Sequence, residues 1–152
     1  MSRAYLALGA NIGEPRKQLM EAMRRLDEYP DIHVVKLSSI IETEPWGNPD
    51  QPRFLNMVVA VDTAMPPDDL MQACLAIERG MGRVRAEKWG PRVIDIDIIA
   101  VGETQLTSET VTLPHPHAHQ RAFVMDPLRE IAPDVAEWIA AEATARNTQT
   151  AG

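Results

Sequence analysis

The sequence predicts an α+β fold: a ferredoxin-like sandwich of one antiparallel sheet with helices on one face, plus an appended hairpin strand and C-terminal helices. Two observations carry that reading. Apolar residues recur at helical spacing in two segments and alternate with the period of a strand in others. The order of the two kinds is strand, helix, strand, strand, helix, strand, which makes two β-α-β units. In a chain of 152 residues, 45% hydrophobic and 24% charged, a single domain over 1–146 is expected, ending in a short disordered tail over 147–152.

Arg3 to Leu8 alternates and reads as the first strand, closing at Gly9-Ala10-Asn11-Ile12-Gly13. That bracketed turn lacks the Gly-Lys-Ser/Thr ending of a phosphate loop, so it reads as structural. Pro15 opens a helix whose stripe of Leu19, Met20, Met23 and Leu26 belongs to a core, and Pro30 ends it. Ile32 to Ile41 is rich in β-branched residues and predicts a strand. The segment 42–52 holds four Pro or Gly residues in eleven, too long a loop for an ordinary hairpin. Phe54 to Val61 is an apolar strand carrying Asn56, whose amide needs partners for its donors and its carbonyl alike: local backbone, or a flat heterocycle with a mixed edge.

Pro66 and Pro67 start the second helix, with Asp68 and Asp69 suited to its positive end. Its apolar face runs through Leu70, Met71, Cys74, Leu75 and Ile77 to Gly80-Met81-Gly82. A strand follows within Trp89 to Val101, then a Gly102-Glu103 turn and a hairpin partner over 104–113. Short helices are expected over 126–132 and 135–145.

The chemistry concentrates in Trp89-Gly90-Pro91-Arg92-Val93-Ile94-Asp95-Ile96-Asp97-Ile98-Ile99. The alternation after the Gly-Pro bend puts Asp95 and Asp97 on one strand face, roughly 7 Å apart at their Cα atoms. Carboxylates so placed suit a pair of divalent cations. Just upstream, Arg79, Arg83, Arg85, Lys88 and Arg92 put five cations into fourteen residues, with Glu87 the only carboxylate among them. Acids for Mg²⁺ beside guanidinium groups for the remaining oxygens suggest a polyphosphate. The plainer alternative is a wet strand face beside a solvated loop. Against it stand the mutual repulsion of same-face carboxylates and the placing of Trp89 in a turn with no obvious core.

The net charge of −7 argues against non-specific binding to nucleic acid or anionic membranes, so no nucleic-acid or membrane partner is expected. No apolar run is long enough to span a bilayer and no signal-peptide pattern opens the chain, so a cytoplasmic location is expected. The single Cys74 reads as a small core residue. His115, His117 and His119 alternate in a proline-rich extended segment that lacks further ligands for a closed zinc site. His115 and Arg121 suit phosphate better. Two rival readings are a nucleic-acid module on the same fold, which the acidic balance and 5% aromatic content oppose, and a Mg²⁺-dependent phosphohydrolase using the same acids.

Taken together, the 9–13 turn, Thr43 to Gly47, Asp50-Gln51-Pro52 with Phe54-Leu55-Asn56, Gly82-Arg83-Val84-Arg85, the Trp89 to Ile98 block, and Pro114-His115 with Arg121 and Phe123 resemble the 6-hydroxymethyl-7,8-dihydropterin pyrophosphokinases of folate biosynthesis. The resemblance covers about residues 3–135 in order. It implies transfer of the β,γ-pyrophosphoryl group of ATP to the pterin hydroxymethyl group, leaving AMP, with two Mg²⁺; a monomer is expected.

By the same resemblance, Asp95 and Asp97 would hold both metal ions, with Arg83, Arg85 and Arg92 as catalytic cations joined by His115 and Arg121 on the triphosphate. The pterin would contact Thr43, Glu44, Pro45, Trp46, Gly47, Asn56 and Asp95, between aromatic rings drawn from Trp46, Phe54, Trp89 and Phe123. Ile98 and Thr112 would bracket the adenine, with Met71, Glu78 and Trp89 completing the nucleotide pocket. Thr110 and Pro116 depart from the family pattern, replacing a basic residue near the ribose and an aromatic residue. The loops over 42–53 and 82–91 are expected to close over ATP.

Overall fold

The computed structural model describes residues 1–44, 53–82 and 94–151. Its main sheet is built from β1 (Ser2–Ala10), β2 (Ile32–Leu37), β3 (Ile41–Thr43), β4 (Phe54–Thr63) and β5 (Asp95–Val101). The order across the sheet is β2-β4-β1-β5, β3 also pairs with β4, and every pairing is antiparallel. With the two helices α1 (Pro15–Glu28) and α2 (Pro67–Gly80) the order is βαβββαβ, which is the predicted βαββαβ with its second strand divided into β2 and β3.

The alternation of β1 explains the layering. Ala4, Leu6, Leu8 and Ala10 turn to one face, where they meet Leu19, Ala22 and Leu26 of α1 and Leu70, Ala73, Cys74 and Ile77 of α2. Each fully buried leucine there contributes on the order of 1.5–3 kcal/mol. Both helices begin with a proline in the first turn, where the missing N–H costs nothing, and α2 adds Asp68 and Asp69 against its dipole.

The other face is not left open along its whole length. Tyr5, Val58, Ala60, Ile99 and Ala100 are covered by Val124, Met125, Leu128 and Ile131 of α3 (Ala122–Ile131) and by Ala136 and Ile139 of α4 (Pro133–Ala151). Gly9, Asn56, Asp95 and Asp97 share this face but belong to neither of these helix contacts, and of them Asp95 and Asp97 are partly exposed.

Five local expectations change. The strand expected over 32–41 is two strands, because Ser38 and Ser39 take the backbone out of the ladder. Ser38 Oγ accepts the Val58 N–H at 2.8 Å and donates to the Ser39 carbonyl at 2.9 Å, and the Ser39 N–H goes to Glu130. The segment after β5 does not pair with it as a hairpin. Instead β6 (Leu106–Thr107) and β7 (Thr112–Leu113) pair with each other, and Ser108 and Thr110 donate from the intervening turn to the Asp68 carboxylate at the start of α2. Helix α3 starts four residues before the expected 126, with Pro127 inside its span, and α4 is helical beyond the expected 145. The first strand runs through Gly9 and Ala10, so the turn is confined to Asn11–Glu14, with Gly13 at φ +64°.

Candidate active site

The site is built on a row that crosses the sheet. Gly9 of β1 is the Cα partner of Asn56 on one side and of Asp95 on the other, and the next same-face residue of β1, Ala7, is opposite Asp97. Directly paired residues share a face, so Asn56, Asp95 and Asp97 project to the same side of the sheet. Ile96 and Ile98, opposite Leu8 and Leu6, turn the other way into the first core, which is why alternation in this strand separates acids from apolar residues so cleanly. Asp95 and Asp97 are both partly exposed.

Gly9 was legible only as part of a turn. In the fold it is a strand residue, and a Cβ built on it would stand 2.8 Å from Oδ1 of Asn56. The missing side chain therefore makes room for the Asn56 amide, which lies over the β1 backbone and donates from Nδ2 to Thr43 Oγ1 at 2.8 Å. Asn56 is buried, and its alternative of bonding to local backbone gives way to this side-chain partner across β3 and β4. The signal for Gly9 was a glycine beside a strand pattern, which often marks close approach of another group. Strand backbones lie about 4.8 Å apart, so Asn56 and Asp95 stand roughly 10 Å apart across a floor that carries no side chain at its centre.

A second group approaches from the turn after β7. The His115 N–H donates to the Ile99 carbonyl at 2.9 Å, fixing this segment to the strand that bears the two aspartates. Nδ1 of His115 accepts the His117 N–H at 3.2 Å, so its ring proton belongs on Nε2. Burial, with Arg121 and His117 adding to it, pushes the imidazole down to about 4. It is thus a neutral N–H donor at ordinary pH, unlike the switchable cation that a free histidine would supply. Arg121 caps α3 and stacks over Phe123 with its guanidinium carbon 5.9 Å from the ring centroid. Phe123 and Ala7 both pack against the second hydrophobic cluster, and Ala7 is opposite Asp97.

The remaining predicted residues divide. Thr43 and Phe54 are opposite one another at the open ends of β3 and β4, both partly buried. Glu44 is exposed and pairs with Arg53 at 3.0 Å. Met71 packs on the first core and Ile98 is buried in it at 2% exposure. Thr112 is partly exposed on β7. Glu78 is buried, and its Oε2 accepts the Ile96 N–H at 3.0 Å. Pro45, Trp46, Gly47, Arg83, Arg85, Trp89 and Arg92, with most of the two loops expected to close, lie outside the described residues.

Cys74 is a core residue, as its position on the apolar stripe predicts: buried in the first cluster, with burial first and then Glu78 and Asp97 pushing its thiol up to about 12. Among the described residues, no group of three or more His, Cys, Asp or Glu side chains could hold a metal. No helix among them is long and apolar enough to cross a membrane.

Comparison with known proteins agrees with this fold. The solved structures that superpose on the chain include a crystal structure of Plasmodium falciparum HPPK-DHPS wild type with SDX-DHP (TM-score 0.63, 16% identity, 88% of this chain and 40% of that one). Another, described as HPPK-DHPS in complex with substrates, gives a TM-score of 0.64 at 14% identity over 88% of this chain. The chain spans about 40% of the length of those structures, and at such identity they establish the fold alone.

Sequence relatives are much nearer. A 2-amino-4-hydroxy-6-hydroxymethyldihydropteridine pyrophosphokinase of Methylorubrum extorquens is 50% identical over 135 residues, 89% of this chain and 85% of that protein. Proteins of the same name from Pseudomonas aeruginosa and Bacillus subtilis are 44% and 40% identical, covering 89% and 98% of this chain and 83% and 87% of their own lengths. The family model described as 7,8-dihydro-6-hydroxymethylpterin-pyrophosphokinase (HPPK) matches residues 5–133, and the chain belongs to that family.

Proposed function

We propose that this chain transfers the pyrophosphoryl group of ATP to the hydroxymethyl group of 6-hydroxymethyl-7,8-dihydropterin, giving the pterin diphosphate and AMP, with two Mg²⁺ ions bound alongside ATP. It acts as a cytoplasmic monomer whose catalytic unit spans residues 1–146. Pyrophosphoryl transfer to hydroxymethyldihydropterin in folate biosynthesis is the activity of its family. The observation that carries the finer reading is the row Asn56–Gly9–Asp95 with Asp97 beside it: a side chain able to read a heterocycle edge, a bare floor, and two acids on one face.

The acids fit magnesium. Mg²⁺ prefers oxygen ligands and commonly takes one or two protein carboxylates, completing its shell with phosphate oxygens and water. Asp95 and Asp97 are such a pair, partly exposed and on one face, and no third acid or imidazole gathers with them among the described residues. When bound, Mg²⁺ would neutralise charge on the phosphate oxygens.

The residues then have separable tasks. Asn56 and Thr43 hold the pterin edge, with Glu44, Pro45, Gly47 and Asp95 around it, and Phe54, Phe123, Trp46 and Trp89 are the candidates for its two faces. Arg83, Arg85, Arg92 and Arg121 meet the triphosphate as cations, and His115 meets it as a neutral donor through Nε2. Met71, Ile98 and Thr112 receive the nucleoside. Phosphoryl transfer needs chiefly alignment and charge stabilisation, so no protein nucleophile is required.

A product assay with purified enzyme tests the reading. AMP should form only when hydroxymethyl-dihydropterin, ATP and Mg²⁺ are all present. Inorganic phosphate released without the pterin would instead favour the hydrolase, and no nucleotide turnover under any of these conditions would remove both.

A further inference from the structure

Among the described residues strand β5 is the edge of the main sheet, and an edge strand presents alternate N–H and carbonyl groups with no neighbouring strand to take them. Ile96 lies between the two aspartates, opposite Leu8, and its N–H goes to Glu78 of α2 at 3.0 Å. Glu78 is only 3% exposed. A carboxylate withdrawn from water to that degree is costly unless donors face it, and α2 brings it to the one backbone position that separates the two acids. Its electrostatic reach extends the same way, since Glu78 and Asp97 both act on the Cys74 thiol one helical turn earlier.

We infer that Glu78 is a positioning residue for the metal-binding pair: by holding the Ile96 N–H it fixes the twist and register of the edge strand, so that the Asp95 and Asp97 carboxylates stay on one face at a fixed separation. This rests on the proposed magnesium role of those aspartates. It replaces a direct nucleotide contact for Glu78 with an action through β5. Groups that hold metal ligands in place commonly change metal affinity or activity about 10- to 100-fold when removed.

The test compares Glu78→Gln, which retains an acceptor oxygen, with Glu78→Met, which has similar length and none. Three quantities are read on the full chain: amide exchange at Ile96, Mn²⁺ affinity in the presence of a non-hydrolysable ATP analogue, and steady-state turnover. In Glu78→Met, Ile96 exchange should accelerate and Mn²⁺ affinity should fall about tenfold or more, with turnover falling in step. In Glu78→Gln all three should remain near wild type. Wild-type Mn²⁺ affinity in a folded Glu78→Met protein would overturn the inference. Should Glu78→Met fail to fold, Glu78→Gln decides alone: Ile96 protection and Mn²⁺ affinity retained together support the role, and protection retained with affinity lost overturns it. Absence of AMP from the wild-type enzyme would instead remove the functional reading itself, which the Mn²⁺ and exchange measurements do not depend on.

Discussion

Gly9 and Asn56 are opposite one another on β1 and β4, and the Asn56 carbonyl oxygen occupies the place where a side chain on Gly9 would begin, 2.8 Å from the Cβ position. The amide of Asn56 is held from its other end by Thr43 Oγ1. A methyl group at residue 9 therefore cannot be accommodated by a small swing of Asn56 without stretching that bond. Gly9→Ala should fold, because β-strand backbone suits alanine at least as well as glycine. It should raise the pterin KM up to about tenfold, the loss of roughly one hydrogen bond, while leaving the ATP KM near normal. A pterin KM within about twofold of wild type would show that Asn56 does not depend on the bare floor.

Asp97 tests the acid pair directly. It is partly exposed on an edge strand, so Asp97→Ala removes no core packing and should leave the folded state intact by circular dichroism. Turnover should fall by at least several hundredfold, in the range seen when one group stabilising transition-state charge is removed. Near-normal turnover at saturating Mg²⁺ would refute the metal assignment.

His115 predicts a pH dependence whose sign follows from its surroundings. Its imidazole is displaced from 6.5 to about 4 by burial first, then by Arg121 and His117. Between those values the unfolded chain takes up a proton that the folded one does not. This residue therefore costs nothing above pH 6.5, destabilises progressively as the pH falls through the window, and reaches its full effect near pH 4. The urea midpoint should drop from pH 7 to pH 4.5, and the drop should be smaller in His115→Gln, which keeps a donor but cannot ionise. Equal slopes for the two proteins would mean that the folded-state imidazole is not held neutral.

Most of the architecture was legible in the residues because period and punctuation are local. Pro15 and Pro67 mark helix starts, the stripe of Leu19, Met20, Met23 and Leu26 marks a buried helix face at Leu19 and Leu26 although Met20 is exposed, and the alternation of Asp95, Ile96, Asp97 and Ile98 separates a wet face from a core face without any knowledge of what lies opposite. The acid pair, the turn at Gly13 and the core character of Cys74 followed from the same local signals.

Tertiary structure decided what depends on partners distant in the chain. The break at Ser38 and Ser39 depends on Val58 and Glu130, and the separate β6–β7 hairpin on Asp68, so neither could be read from its own segment. Coverage of the second sheet face by α3 and α4 left Gly9, Asn56, Asp95 and Asp97 outside those helix contacts. Gly9 became a floor only when Asn56 was laid across it, and Glu78 a support only when α2 met the edge of β5. Side-chain periodicity specifies which way a residue faces, but not which hydroxyl or backbone N–H thirteen or eighteen positions away will meet it. That depends on register and helix docking, which the whole chain settles at once.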